Sequence, residues 1–472
     1  MKFFKKHGFN KKSKTINNSK IQDSGNENYL LIYPKSVEEE VSRSINSMGF
    51  VDKEIPADKT YDELLKELEE TNRKLDNVDK NIDKIKQENK DIINHLPYTL
   101  DYYNKSNNLK ENMVKGTDYF YFSGWVPQSS ESKVKDLSNK YDKLLVTEED
   151  TEKIEGSPPT KLKNNNFFKP FEFMVKMYGT PSYDEIDPTG FFAITYMLLY
   201  GMMFGDLGQG LIFILLSYFV GKKNNLFGSL LRRIGISASI FGLMYGSFFG
   251  IENLIPTLLI KPFDNIIKVL IASVSFGVIL LLISFCIGIY NKLFKQKDLE
   301  EGLFGKEGVA GLIMMISFIM LILNIVKVNP APIGVSVTLL ILSIVMIIFK
   351  QPLSRKLLEE DELYDSKKSD YYVESSFSII EALLSVFSNL VSFTRVGAFA
   401  INHVGLYMAF EVMAKLAGGG IAGIIILILG NILIIGLEGM IVSIQGLRLE
   451  FYEMFSKYYK GEGHDFVPIS RY

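Results

Sequence analysis

Between residues 189 and 455 the chain carries eight apolar segments, at approximately 189–204, 207–221, 229–250, 265–290, 305–327, 333–349, 376–414 and 420–455. In hydrocarbon every backbone N–H and C=O must be satisfied internally, so apolar runs of this length are expected to fold as membrane helices. Charge falls away in step with them: 58 of the first 170 residues are charged, against 48 of the remaining 302. The pattern predicts a charge-rich head joined to a polytopic membrane body. A net charge of −2 argues against nucleic-acid binding. The single cysteine, Cys286, lies inside an apolar run and leaves no basis for a disulfide framework or a Cys-based metal site. The opening MKFFKKHGFNKKSK has basic residues with no apolar core behind them, so it is not expected to act as a signal peptide.

The front half divides by composition. Residues 1–27 are rich in Lys, Asn and Ser and are expected to be disordered. Residues 28–57 read as a small α+β lobe, with a strand at 29–33, a polar helix at 37–48 and a short strand after Gly49. Residues 58–115 read as a coiled-coil arm: Leu64, Leu65, Leu68, Leu75, Val78, Ile82 and Ile85 recur at spacings of three, four and seven, a seam that needs a partner helix. Residues 116–180 form a second α+β portion and linker, with a strand over 118–126 and a charged helix and strand over 127–150. The membrane domain is then 181–472, and the fold class is mainly α: an eight-helix polytopic domain behind an α+β head with a coiled-coil arm.

Basic residues concentrate in alternate loops, Lys222, Lys223, Arg232 and Arg233, then Lys292, Lys295 and Lys297, then Lys350, Arg355, Lys356, Lys367 and Lys368. The positive-inside rule makes these loops, the head and the C-terminus cytoplasmic, which requires an even number of crossings. The last two segments are anomalous, at about 50–60 Å of helix each, and must tilt or project from the bilayer. They also hold nearly all the intramembrane polar groups: Glu381, Asn389, Arg395, Asn402, His403 and Glu411 on the seventh, Asn431, Glu438, Gln445 and Arg448 on the eighth. Ionisable residues at that depth are costly and therefore mark function or an internal ion pair. With Arg395 and Arg448 at one depth, His403 lies about 12 Å and Glu438 about 15 Å to one side, and Glu381 about 21 Å to the other. Two offset polar half-pathways separated by fixed positive charge is the resulting picture, and arginine suits the barrier because it does not give up its proton. The mobile carboxylate that such a device needs is expected on another subunit.

Several stretches resemble the membrane subunit of the rotary V/A-type ATPases, called subunit a in eukaryotes and subunit I in bacteria. They are FSGWVPQ (122–128), the long block SPPTKLKNNNFFKPFEFMVKMYGTPSYDEIDPTGFFA (157–193), YGMMFGDLGQG (200–210), FGLMYGSFFG (241–250), LVSFTRVGAFAINHVGL (390–406) and LEGMIVSIQGLRLEFYEMFSKYYKGEGHDFVP (437–468). The resemblance covers roughly residues 29–470 and implies a stator lying against a rotor ring of proteolipid subunits, each bearing one carboxylate. It also implies contacts with peripheral-stalk subunits and a central-stalk adaptor, a multi-pass location in the cell membrane, and ATP chemistry on other chains. On this likeness Arg395 in SFTRVGA faces the ring carboxylate and Arg448 in GLRLE is its companion. Glu438 and His403 match an outer half-channel and Glu381 an inner one. Asn389 and Gln445 stand where some members have histidine, and Asn402 adjoins His403 in the same motif.

No cofactor is expected. The GDLGQG glycines read as helix packing, and Asp184, Glu185 and Asp187 in YDEIDP as capping and interfacial groups more than as a metal cluster. No GxxxxGK[ST] occurs, so the chain is not itself a nucleotide motor. The family's extra front lobe and outgoing coiled-coil helix are not matched, which leads us to expect a truncated product or a front half supplied as a separate polypeptide. A self-contained secondary transporter and a non-transporting scaffold are the competing readings. The first would call for an internal repeat, and none is visible.

Overall fold

The computed structural model describes residues 2–4, 22–23, 26–27, 29–31, 39, 43, 61–111, 113–148, 157–251, 254–327, 332–359, 363–364, 367–418 and 420–468. They fall into two units, one within Met1–Phe122 and the other Ser123–Pro468.

In the first unit β1 (Lys2–Phe4) and β4 (Tyr29–Leu31) pair antiparallel, Phe3 opposite Leu30, and β2 (Gln22–Asp23) pairs with β3 (Asn26–Glu27). The three residues of β4 open the strand expected at 29–33. The helix expected at 37–48 is described only at Glu39 and Arg43, both helical, and the strand after Gly49 lies outside the described residues. Two long helices follow, α1 (Tyr61–Glu88) and α2 (Lys90–Glu111), and the ladder runs on through Asn89, which donates to Ile85 O at 3.0 Å and accepts from Ile93 N–H at 2.8 Å. Among the described residues the heptad seam of α1 is uncovered: Leu68, Leu75 and Ile85 are about 60% exposed. The strand expected over 118–126 is limited to β6 (Phe120–Tyr121), paired with β5 (Val114–Lys115).

In the second unit α3 (Glu131–Lys140) is the charged helix foreseen after residue 127, and α4 (Glu172–Tyr178) precedes the apolar region. Every one of the eight apolar segments is helical: α5 (Thr189–Met203), α6 (Leu207–Lys223), α7 (Asn225–Tyr245), α8 (Ile266–Tyr290), α9 (Val309–Ile325), α10 (Ile333–Ile348) with α11 (Lys350–Leu357), α12 (Lys368–Ser392) with α13 (Thr394–Leu416), and α14 (Gly420–Leu433) with α15 (Gly439–Arg448) and α16 (Ser456–Tyr458). Among the described residues five helices are long and apolar enough to cross a membrane, and α10 with α11 makes a sixth candidate bent by 74°. Helix α5, of 15 residues, is a shorter apolar helix, and α6 has 17 residues. By length and composition this is a multi-pass membrane protein.

The length anomaly of the last two segments persists. Lys368–Leu416 is a 49-residue helix interrupted only near Phe393, and Gly420–Tyr458 is one of 39 residues. The latter contains two π-helical stretches, Ile434–Glu438 and Leu449–Phe455, which end on Glu438 and begin just after Arg448. Such wide turns re-aim side chains and recur at functional sites.

An aromatic column fixes this last helix against α5. Phe192 stacks on Tyr196 at 5.6 Å and 6°, and on Phe451 at 6.1 Å, while Tyr196 donates its hydroxyl to Ser443 O at 3.2 Å. Helices α6 and α7 approach so closely that a side chain at Gly235 would strike the carbonyl of Gly210. The packing role expected for the GDLGQG glycines is thus seen at Gly210. The YDEIDP acids do act as caps and ties: Asp187 accepts the N–H (2.9 Å) and hydroxyl (2.6 Å) of Thr189 at the start of α5, and Glu185 accepts the N–H of Lys460 at 2.9 Å.

Candidate functional site

His403 lies on α13 and Glu438 at the end of the first π stretch, and both side chains are buried. Their Nδ1 and Oε2 atoms are 2.9 Å apart. The depth count from sequence put the two within about 3 Å along the membrane normal, and the fold closes that gap to direct contact. Behind the imidazole, Nε2 is 4.0 Å from Oδ2 of Asp206, and the ring packs on Phe204 at 4.9 Å. An imidazole held between two carboxylates keeps a fixed orientation and can take up or release a proton on either nitrogen.

Asp206 was not singled out in the sequence, although it is the only ionisable residue in GDLGQG. It is fully buried and forms the corner between α5 and α6. Its Oδ1 accepts from Gln209 N–H (2.9 Å) and Phe249 N–H (3.0 Å), and its Oδ2 accepts from Ser247 Oγ (2.6 Å) and Gly250 N–H (2.7 Å). Gly250 itself has φ +82° and leaves no room for a side chain against Tyr407, so the turn that presents its N–H to Asp206 needs glycine. Gln209 extends the network by donating Nε2 to Asn431 Oδ1 at 3.0 Å, which joins a second polar residue of the last helix to the same corner.

Eight residues before His403 on the same helix, Arg395 is half-buried, and Arg448 is exposed at the end of α15. Buried Glu453, five residues beyond Arg448 in the second π stretch, is within electrostatic reach of both guanidinium groups. Arg395 Nη1, Gln445 Oε1 and Glu453 Oε2 are buried without a hydrogen-bond partner among the described residues. A carboxylate or water from outside the chain would satisfy the Arg395 donor, and water could donate to the two acceptor oxygens. Neither Glu453 nor fully buried Glu450 was foreseen, yet both follow Arg448 within an apolar helix, where an acid is expensive.

The remaining predicted residues are spread along α12 and its continuation. Glu381 is exposed and paired with Lys306 at 2.8 Å, well away from the histidine cluster. Asn389 is buried and donates to Ser385 Oγ at 3.4 Å, whereas Asn402 is exposed. The fold therefore joins His403 with Glu438, brings Glu453 within electrostatic reach of Arg395 and Arg448, and leaves Glu381 apart.

Residues 7–246 match the family described as the V-type ATPase 116kDa subunit family. The chain belongs to this family. Among curated relatives, it is 26% identical over 95% of its length to the A-type ATP synthase subunit I of Saccharolobus solfataricus, spanning 74% of that protein. It is 28% identical over 74% of its length to the subunit I of Methanocaldococcus jannaschii and 24% over 91% to that of Pyrococcus horikoshii, spanning 55% and 66% of those proteins. Membership in the family makes the chain a membrane subunit of a rotary ATPase.

Proposed function

We propose that the chain is the stator half of the ion motor in a rotary V/A-type ATPase. It supplies two offset half-pathways and the arginine that faces the rotor-ring carboxylates, and so couples H⁺ or Na⁺ passage to ATP hydrolysis or synthesis on other subunits. In this reading all eight apolar helices cross the bilayer, with the basic loops, head and C-terminus cytoplasmic. His403, Glu438 and Asp206 belong to the outer pathway and Glu381 and Asn389 to the inner one. Arg395, with Arg448 beside it, favours the ionised ring carboxylate and blocks leakage between the two pathways. Gln445 and Asn402 line the approach. The ring, the peripheral stalks and a central-stalk adaptor are the implied partners.

The observation that carries the proposal is the buried His403–Glu438 contact on the two long helices, with half-buried Arg395 about 12 Å farther along the same helix. A buried polar cluster and a separate cation with an unfilled donor, in a chain of this family, are what a half-channel and its barrier require. Tagging the chain and purifying it from its native membrane tests the proposal. A proteolipid ring and nucleotide-hydrolysing subunits should come with it, and a chain that purifies alone while still moving ions would sink it.

A further inference from the structure

The last helix carries a buried cation that the pathways above leave unused. Lys457 is 6% exposed, its Nζ donates to Ser385 Oγ at 3.0 Å, and it lies 5.5 Å from the centre of the Phe285 ring. An ammonium has three donors, and one hydroxyl answers only one of them. The charged groups facing it are Glu307, Lys306 and Lys292 from the α8–α9 connection and Glu381 from α12. Both acids are already engaged, Glu307 by Lys292 at 3.3 Å and Glu381 by Lys306 at 2.8 Å.

Lys457 also lines a partly open cavity of about 50 Å³, together with Glu185, Asn291, Lys292, Gln296 and Glu307. The phenols of Tyr458 and Tyr459 and the Lys460 ammonium are the other titratable groups of the C-terminal segment around it. Glu185 is held by the N–H groups of Ser182 and Lys460. A polar cavity of this size accommodates water. On the opposite side, Ser385 Oγ also accepts from Asn389 Nδ2, one turn farther along α12 toward Arg395. Hydrogen bonds therefore join Lys457, at the cavity wall, to Ser385 and Asn389, a polar file on the helix that leads to Arg395.

We propose that Lys457 is a proton-relay residue of the inner pathway, exchanging protons between water in this cavity and the Ser385–Asn389 file. The proposal rests on reading the chain as the stator subunit. For inward transfer, Nζ of the ammonium gives one proton to a cavity water, and the hydronium formed leaves toward the cytoplasm. The amine then takes the Ser385 hydroxyl proton as Ser385 Oγ takes one from a hydronium on its Asn389 side, which returns to water. One proton enters, one leaves, and the ammonium is restored; the reverse order serves outward transfer. Lysine suits this role because a desolvated amine can give up its proton, as a guanidinium cannot. A metal cation is not passed by N–H exchange, so the relay makes this pathway proton-specific.

The test is ATP-driven proton uptake by membrane vesicles holding the assembled complex. Lys457→Met and Lys457→Arg should each lower uptake at least tenfold at unchanged complex content. Lys457→His should recover part of it, with its optimum at lower pH, because imidazole titrates near 6.5. Uptake above half the normal rate in Lys457→Arg, or Na⁺ uptake that persists in Lys457→Met, overturns the relay. Arg395→Ala run in parallel separates the two readings: loss of transport there with normal Lys457 variants defeats the relay alone, and normal transport in Arg395→Ala defeats the stator reading. Should the Lys457 variants not assemble, the near-isosteric Ser456→Cys at the cavity wall, in a Cys286→Ser background, should bind Ag⁺, a thiol probe about the size of a water molecule, added from the cytoplasmic face. No binding means a dry cavity and overturns the proposal.

Discussion

His403 Nδ1 and Glu438 Oε2 meet at 2.9 Å across the two longest candidate membrane helices among the described residues, with both side chains removed from solvent. Removing one member of a buried pair leaves the other charge or dipole uncompensated, at a cost of about 3–5 kcal/mol. Glu438→Ala should therefore lower the thermal stability of the membrane sector, and His403→Ala should lower it comparably. Because both substitutions break the same contact, the double variant should lose clearly less than the sum of the singles. Thermal aggregation of the detergent-solubilised protein measures this, and additive losses would show that the contact contributes nothing.

The arginine assignment predicts a separation of activities. Arg395→Ala should abolish ion transport, and Arg395→Lys should impair it less completely, since a lysine can lose its proton when desolvated. ATP hydrolysis by the detached soluble sector should be unaffected by either. Transport in Arg395→Ala vesicles above about half the normal rate would refute the role.

Sidedness tests the two pathways. Cysteines at 403 and 438 should react with impermeant reagents added from outside, and a cysteine at 381 from the cytoplasmic side, after Cys286 is replaced. Position 381 should react fastest, because Glu381 is exposed while His403 and Glu438 are buried. Reversed sidedness would refute both the topology and the pathways.

Much of this architecture was legible because membrane helices announce themselves by length and apolarity, and each apolar run does fold as helix. The shared depth of His403 and Glu438 followed from helical rise alone. Their contact did not, since it depends on how the helices are rotated, and the π stretches that set this rotation in the last helix have no simple sequence signature. Asp206 was overlooked for a related reason. Its four donors come from residues at 209 and at 247–250, and that convergence exists only once α6 and α7 have packed. Glu381 shows the opposite failing of a depth count, which cannot foresee that Lys306 from another connection occupies the carboxylate.

Asp206 also yields a prediction that separates architecture from chemistry. Its carboxylate accepts four hydrogen bonds, three from backbone N–H groups and one from Ser247, and it ties the α5–α6 corner to the turn after α7. Asp206→Ala leaves those donors buried with nothing to receive them, and each unsatisfied group costs about 1–3 kcal/mol. Asp206→Asn keeps one oxygen but turns an NH₂ group toward two of the donors, so it should fall between the wild type and alanine. Ser247→Ala removes a donor together with its demand and should cost only about 1 kcal/mol. The expected order of melting temperatures is therefore wild type, then Ser247→Ala, then Asp206→Asn, then Asp206→Ala. If Asp206→Asn melts with the wild type yet transports no ions, the residue acts on the His403 proton and not as the anchor of the corner.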